Sequence, residues 1–163
     1  MPEKDQIVVL ADVSSSMSTR DGGSHEKKKR IDLLREALST IPSGVIIIEF
    51  SDDAREVTRE SLRLDEMGGT ALHKGIRAAV RHNPVRTVII SDGEPDSQED
   101  AREAIEELTG IVDVVFCGDP KNTRAVEFLN SLAKAGAGGF YKTGDQIDVR
   151  KQLPAVIAGL LNS

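Results

Sequence analysis

With 163 residues, 39% of them hydrophobic, the chain has the size of one ordinary domain and can bury a core without a disulfide or metal staple. A net charge of -6 argues weakly against a nucleic-acid or anionic-membrane partner, and 3% aromatic residues are too few for a base-stacking platform. The lone Cys117 excludes an intramolecular disulfide, and no apolar run approaches the roughly 18 residues that cross a bilayer.

The opening Met1-Pro2-Glu3-Lys4-Asp5 has no basic start leading into an apolar segment, so no secretion signal is expected. The expectation is a soluble, cytoplasmic protein, a single domain over residues 1–163, with neither a nucleic-acid nor a membrane partner.

From Ile7 a short apolar run reads as a buried strand, and Asp12-Val13-Ser14-Ser15-Ser16 follows where it ends. Residues 18–30 form a polar loop with the basic run Lys27-Lys28-Lys29-Arg30, read as a solvated face where a helix opens. Ile31, Leu34, Leu38 and Ile41 then recur at helical spacing until Pro42-Ser43-Gly44 stops them. Val45 to Phe50 predicts a second buried strand ending in Ser51-Asp52-Asp53. Ala54 to Thr58 predicts a short half-exposed strand that can pair with it as a hairpin.

A glycine loop, Gly68-Gly69-Thr70, enters a helix with Leu72, Ile76, Ala79 and Val80 on its apolar face; Thr70 falls at or just before its first turn. Val85 to Ser91 predicts a third apolar strand, followed by Asp92-Gly93-Glu94-Pro95-Asp96. A helix carrying Ala101, Ala104, Ile105 and Leu108 comes next, then a strand from Ile111 to Cys117. A helix from about Asn122 to Ala135, capped by Asn122, precedes a last strand, Gly138 to Lys142. The closing segment is apolar at Leu153, Val156, Ile157, Leu160 and Leu161, and Pro154 sits in a first helical turn or divides two short helices. Strands alternating with helices imply a doubly wound α/β fold, its mostly parallel sheet covered on both faces.

If the strands ending at Asp12 and Asp92 are neighbours, their loops share one sheet edge with Gly69-Thr70. Two carboxylates, Asp12 and Asp92, would then meet three hydroxyls, Ser14, Ser16 and Thr70. All are hard oxygen donors of the kind that suit Mg²⁺, Mn²⁺ or Ca²⁺. Each also has a plain structural use as a cap or a loop-fixing side chain. Asp52, Asp53, Glu94 and Asp96 read as solvated acids, Asp113 and Asp119 as register and turn residues, and Cys117 as a small buried hydrophobe. His25, His73 and His82 have no ligand spacing, and neither a nucleophile elbow nor a glycine-lysine phosphate loop is present.

Asp12-x-Ser14-x-Ser16, then Gly69-Thr70, then Ser91-Asp92-Gly93, in this order on an alternating chain, resembles the metal-ion-dependent adhesion site of von Willebrand factor type A domains. The likeness runs from about Asp5 to Leu161; the loop over residues 18–30 is longer and more polar than the link typical of that family. The resemblance implies a Rossmann-like fold with one short antiparallel edge strand at Ala54 to Thr58. It implies Ser14, Ser16 and Thr70 as hydroxyl ligands, with Asp12 and Asp92 holding the metal directly or through water. It also implies a non-enzymatic protein-binding module whose partner offers Asp or Glu to the metal; for soluble intracellular members it adds service to an AAA-type ATPase or a stress-response assembly as a further possibility. Two other classes stay open: a Mg²⁺-dependent phosphoryl-transfer protein of haloacid-dehalogenase or receiver type using Asp12, and a structural subunit whose metal only staples loops. Against the former, Ser14 stands where a dehalogenase expects its general-acid aspartate.

Overall fold

In the computed structural model, residues 6–18, 30–39, 41–42, 44–58, 60–63, 68–119, 121–142 and 159 are described. The strands are β1 (Ile7–Asp12), β2 (Ile46–Phe50), β3 (Ala54–Val57), β4 (Arg86–Ser91), β5 (Ile111–Phe116) and β6 (Ala137–Lys142). The helices are α1 (Arg30–Leu38), α2 (Leu72–Val80), α3 (Gln98–Ile105) and α4 (Thr123–Ala135), with one 3₁₀ turn at Ser15–Ser18. Among the described residues no helix is long and apolar enough to cross a membrane.

The six strands form one sheet in the order β3-β2-β1-β4-β5-β6. All neighbours run parallel except β3, which turns back on β2 as an antiparallel edge strand. β1 lies between β2 and β4, with Asp12 opposite Phe50 and Ala11 opposite Ile90. The chain leaves β1 through α1 toward β2 and later crosses through α2 to β4 on the other side. The carboxyl ends of β1 and β4 therefore flank the switch point at which such sheets bind ligands.

The parallel strands are apolar on both sides because both sides are covered. Val8, Leu10, Ile48, Phe50, Ile89, Val114 and Phe116 face α2, α3 and α4. Val9, Ala11, Ile47, Val88, Ile90 and Val115 point the other way, toward Ile31, Leu34 and Leu38 of α1. Cys117 is buried on the α1 side, as expected of a small hydrophobe.

Several boundaries differ from the sequence expectation. α1 stops at Leu38, and Ile41 reaches the core from the following turn, where its N–H donates to the Leu38 carbonyl at 3.1 Å. Val45 and Val85 lie outside their strands; Val85 is exposed, though its N–H still donates to Gln6 at 2.9 Å. β6 begins one residue early, at Ala137, whose φ of 57° makes the corner after α4. Asn122 caps α4 as expected, its Oδ1 accepting from Ala125 N–H at 3.3 Å. Residues 19–29 of the polar loop, and the closing apolar segment apart from Gly159, lie outside the described residues.

Leu10 is fully buried in the centre of the larger core cluster. Leu10→Ala is expected to lower unfolding stability by about 2–5 kcal/mol, read as a drop in urea midpoint at constant slope. A change under about 1 kcal/mol would show that the strand is not packed as described.

Candidate functional site at the carboxyl rim of β1 and β4

The unbroken apolar run of β1 ends at Ala11, and the next residue is a carboxylate, with Val13 and Met17 returning to the core beyond it. Asp12 is 0% exposed and Asp92, just past the end of β4, is 5% exposed. Neither carboxylate oxygen of Asp12 is idle. Oδ1 accepts from the N–H of Ser14 at 2.8 Å, the turn that an aspartate makes two residues ahead of itself. Oδ2 accepts from the Ser91 hydroxyl at 2.7 Å. Among the described residues no basic side chain pairs with Asp12.

The hydroxyls link the two acids. Ser16 donates to Asp92 Oδ1 at 2.7 Å, and its oxygen lies 3.2 Å from Ser14 Oγ. Ser14 is buried while Ser16 is exposed, so the cluster runs from the sheet end to solvent. The structure thus brings Asp12, Ser14, Ser16 and Asp92 into one network.

Thr70 joins through its backbone. The loop before α2 is tied to the serine turn by Ser15 N–H donating to the Gly68 carbonyl at 3.1 Å. It is tied to the Asp92 loop by a reciprocal pair: Thr70 N–H donates to Asp96 Oδ1 at 3.0 Å, and Asp96 N–H donates to the Thr70 carbonyl at 2.8 Å. Thr70 does not cap α2. The capping position belongs to Ala71, which makes no side-chain capping bond.

Sequence reasoning missed four contributors. Ser91 supports Asp12. Asp52 and Asp96, read as solvated acids, are exposed but accept backbone N–H groups, Asp52 Oδ1 taking Gly69 N–H at 2.8 Å. Gly118 lies so close to the Asp92 loop that a Cβ there would land on the Asp92 carbonyl oxygen. A glycine directly after a strand was the available signal. Glu94 pairs with Arg124 at 3.5 Å, and Asp119 forms the expected turn, accepting from Lys121 N–H at 2.9 Å. Asp113 does more than set register: it is buried against Arg86 and accepts Gly139 N–H at 2.8 Å.

Among the described residues no cation is paired with the carboxylate of Asp12. Burial pushes the Asp12 carboxyl up from 3.8 to about 7, and repulsion from Asp92 adds to it, while hydrogen bonds from Ser14 and Ser91 pull it back. The donor set is two carboxylates and up to three hydroxyls, all hard oxygens. Among the described residues no three histidine, cysteine or acidic side chains converge as a metal cluster. A divalent ion here would depend on the hydroxyls as well as the acids, and its charge would match two ionised carboxylates.

Structural comparison returns one architecture. A von Willebrand factor type A protein from Catenulispora acidiphila superposes with TM-score 0.67 at 19% identity, over 94% of this chain and 42% of that one. The fold is that of a von Willebrand factor type A domain. The VWA domain of SpRpn10 gives TM-score 0.65 at 10% identity, with 95% of this chain and 94% of that chain covered. Manganese-loaded TRAP protein from Plasmodium vivax gives 0.62 at 14% identity, covering 95% and 72%. This chain therefore spans less than half of the Catenulispora chain. No family model and no curated protein matches the sequence. Within this VWA fold, the six-stranded sheet and its antiparallel edge strand agree with the expected architecture.

The raised Asp12 carboxyl has a signed consequence. Between pH 3.8 and about 7 the folded chain holds a proton that the unfolded chain has released, so the metal-free fold loses stability as pH rises through that window. Asp12→Asn keeps an acceptor for Ser14 and a polar partner for Ser91 without the charge. In EDTA near pH 8 it should exceed wild type by about 2–4 kcal/mol in urea unfolding, with the gap closing near pH 4. A wild-type stability that is flat across this range would contradict a buried Asp12 carboxylate with no cation beside it.

Proposed function

We propose that the chain is a divalent-cation-dependent protein-binding module. Its rim holds Mg²⁺, or Mn²⁺ or Ca²⁺, through Ser14, Ser16 and Thr70, with Asp12 and Asp92 supplying charge directly or through water. The observation that carries this reading is the meeting of two buried carboxylates with the Ser14 and Ser16 hydroxyls at the switch point, with no described base beside Asp12. The manganese-loaded TRAP neighbour, which shares the fold, lends support.

When bound, such an ion acts as a Lewis acid that accepts one further hard oxygen donor, here an Asp or Glu side chain of a partner protein. The chain's own residues supply the rest. Asp12 and Asp92 neutralise the ion, Ser91 and the Ser14 N–H keep Asp12 aimed at the rim, and the exposed Ser16 marks the side from which a partner approaches. The complete burial of Asp12, with both oxygens hydrogen-bonded, favours this role over that of a phosphoryl acceptor.

Calorimetry with Mg²⁺ and Mn²⁺ tests the proposal together with a pull-down from native lysate in Mg²⁺ or EDTA. Wild type should bind one ion per chain and retain a partner only in Mg²⁺. Asp12→Ala should lose both while its circular dichroism spectrum is unchanged. Undiminished Mg²⁺ or Mn²⁺ binding by Asp12→Ala would contradict it.

A further inference from the structure

The loop that presents Thr70 is not anchored by the helix it enters. Its capping residue, Ala71, has no side-chain acceptor to offer, so the position of Gly69 and Thr70 is set by neighbours. Those neighbours are two carboxylates from two different loops. Asp52, after β2, accepts the Gly69 N–H at 2.8 Å, and Asp96, after β4, accepts the Thr70 N–H at 3.0 Å. A Cβ on Gly69 would lie 2.9 Å from Asp52 Oδ1 and 2.8 Å from Asp96 Oδ2, so the two acids close on the same glycine.

We infer that Asp52 and Asp96 are positioning residues that clamp the Gly69–Thr70 backbone and thereby set the Thr70 hydroxyl at the rim. The inference rests on the proposed metal role of Thr70. Two like charges so close together repel; consecutive backbone N–H groups between them offset that repulsion, which ties the acids to this one loop conformation. Further bonds fix the ends of the clamp. Lys74 Nζ donates to the Asp52 carbonyl at 2.9 Å, Ala71 N–H donates to the Ser51 carbonyl at 2.6 Å, and Asp96 N–H returns to the Thr70 carbonyl. A side chain at 69 would have to displace both carboxylates.

The clamp is separable from general folding because it predicts a coupling. Asp96 acts on the metal only through Thr70, so removing Thr70 must erase the effect of removing Asp96. Mn²⁺ affinity is measured by calorimetry for wild type, Asp96→Ala, Asp96→Asn, Thr70→Ala and the double variant Thr70→Ala with Asp96→Ala. Exchange of the Gly69 and Thr70 amides is followed by NMR in EDTA for wild type, Asp52→Ala and Asp96→Ala. Asp96→Ala is expected to weaken Mn²⁺ binding by about tenfold, the scale on which partners behind a ligand act. Asp96→Asn, which keeps the acceptor, should recover most of this loss, and the double variant should bind no more weakly than Thr70→Ala. In EDTA, Asp52→Ala should speed exchange at Gly69 and Asp96→Ala at Thr70, at an unchanged urea midpoint.

Additive losses in the double variant, an unchanged affinity in Asp96→Ala, or unaltered amide exchange would each overturn the clamp. Failure of wild type to take up Mn²⁺ would instead overturn the metal reading, and the exchange rates would then decide the clamp alone.

Discussion

Two carboxylates that repel one another stand where β1 and β4 end, one wholly buried and the other nearly so. Hydrophobic burial alone would never place them there, because an ionised acid in a low-dielectric environment is costly and a second one nearby makes it worse. What places them is the sheet. Leu10, Ala11, Ile89 and Ile90 are locked between helical layers, so the residues that follow emerge side by side on one rim. The core thus supplies the force that assembles an electrostatically unfavourable site.

The surrounding bonds share a direction. Ser91 and the Ser14 N–H support Asp12, Ser16 supports Asp92, and Gly118 lets the β5–α4 loop press against the Asp92 backbone. Each holds an acid in place, and none supplies a full positive charge. Under the proposed metal reading, a cation here would stabilise the fold, linking metal binding to local stability. The edge hairpin serves the same rim indirectly: β3 turns β2 back so that Ser51 and Asp52 reach the loop before α2.

Much of this was legible in the amino-acid sequence, for identifiable reasons. Strands buried on both faces read as unbroken apolar runs, and the acidic loops after Leu10-Ala11 and Ile89-Ile90 stood out against them. Asn122 could be assigned as a cap because an N-cap is a local interaction. Long-range partners were hidden. Ser91 lies 79 positions from Asp12, and Asp96 lies 26 from Thr70. Whether such pairs meet depends on strand register and loop path, which no local pattern encodes. Arg86 and Asp113 illustrate the point: Val88 is opposite Asp113, so Arg86 reaches the acid diagonally on the same sheet face. Helix ends were misjudged where the chain tightened, as between Leu38 and Ile41.

The proposed function requires that these oxygens surround a divalent ion. Crystals grown with Mn²⁺ and measured at the manganese absorption edge test it most directly. An anomalous peak bounded by Ser14, Ser16 and Thr70, with hydroxyl oxygens about 2.0–2.6 Å away and Asp12 and Asp92 beside it, is the predicted result. A map with no peak at this rim, or with its manganese elsewhere on the molecule, would contradict it.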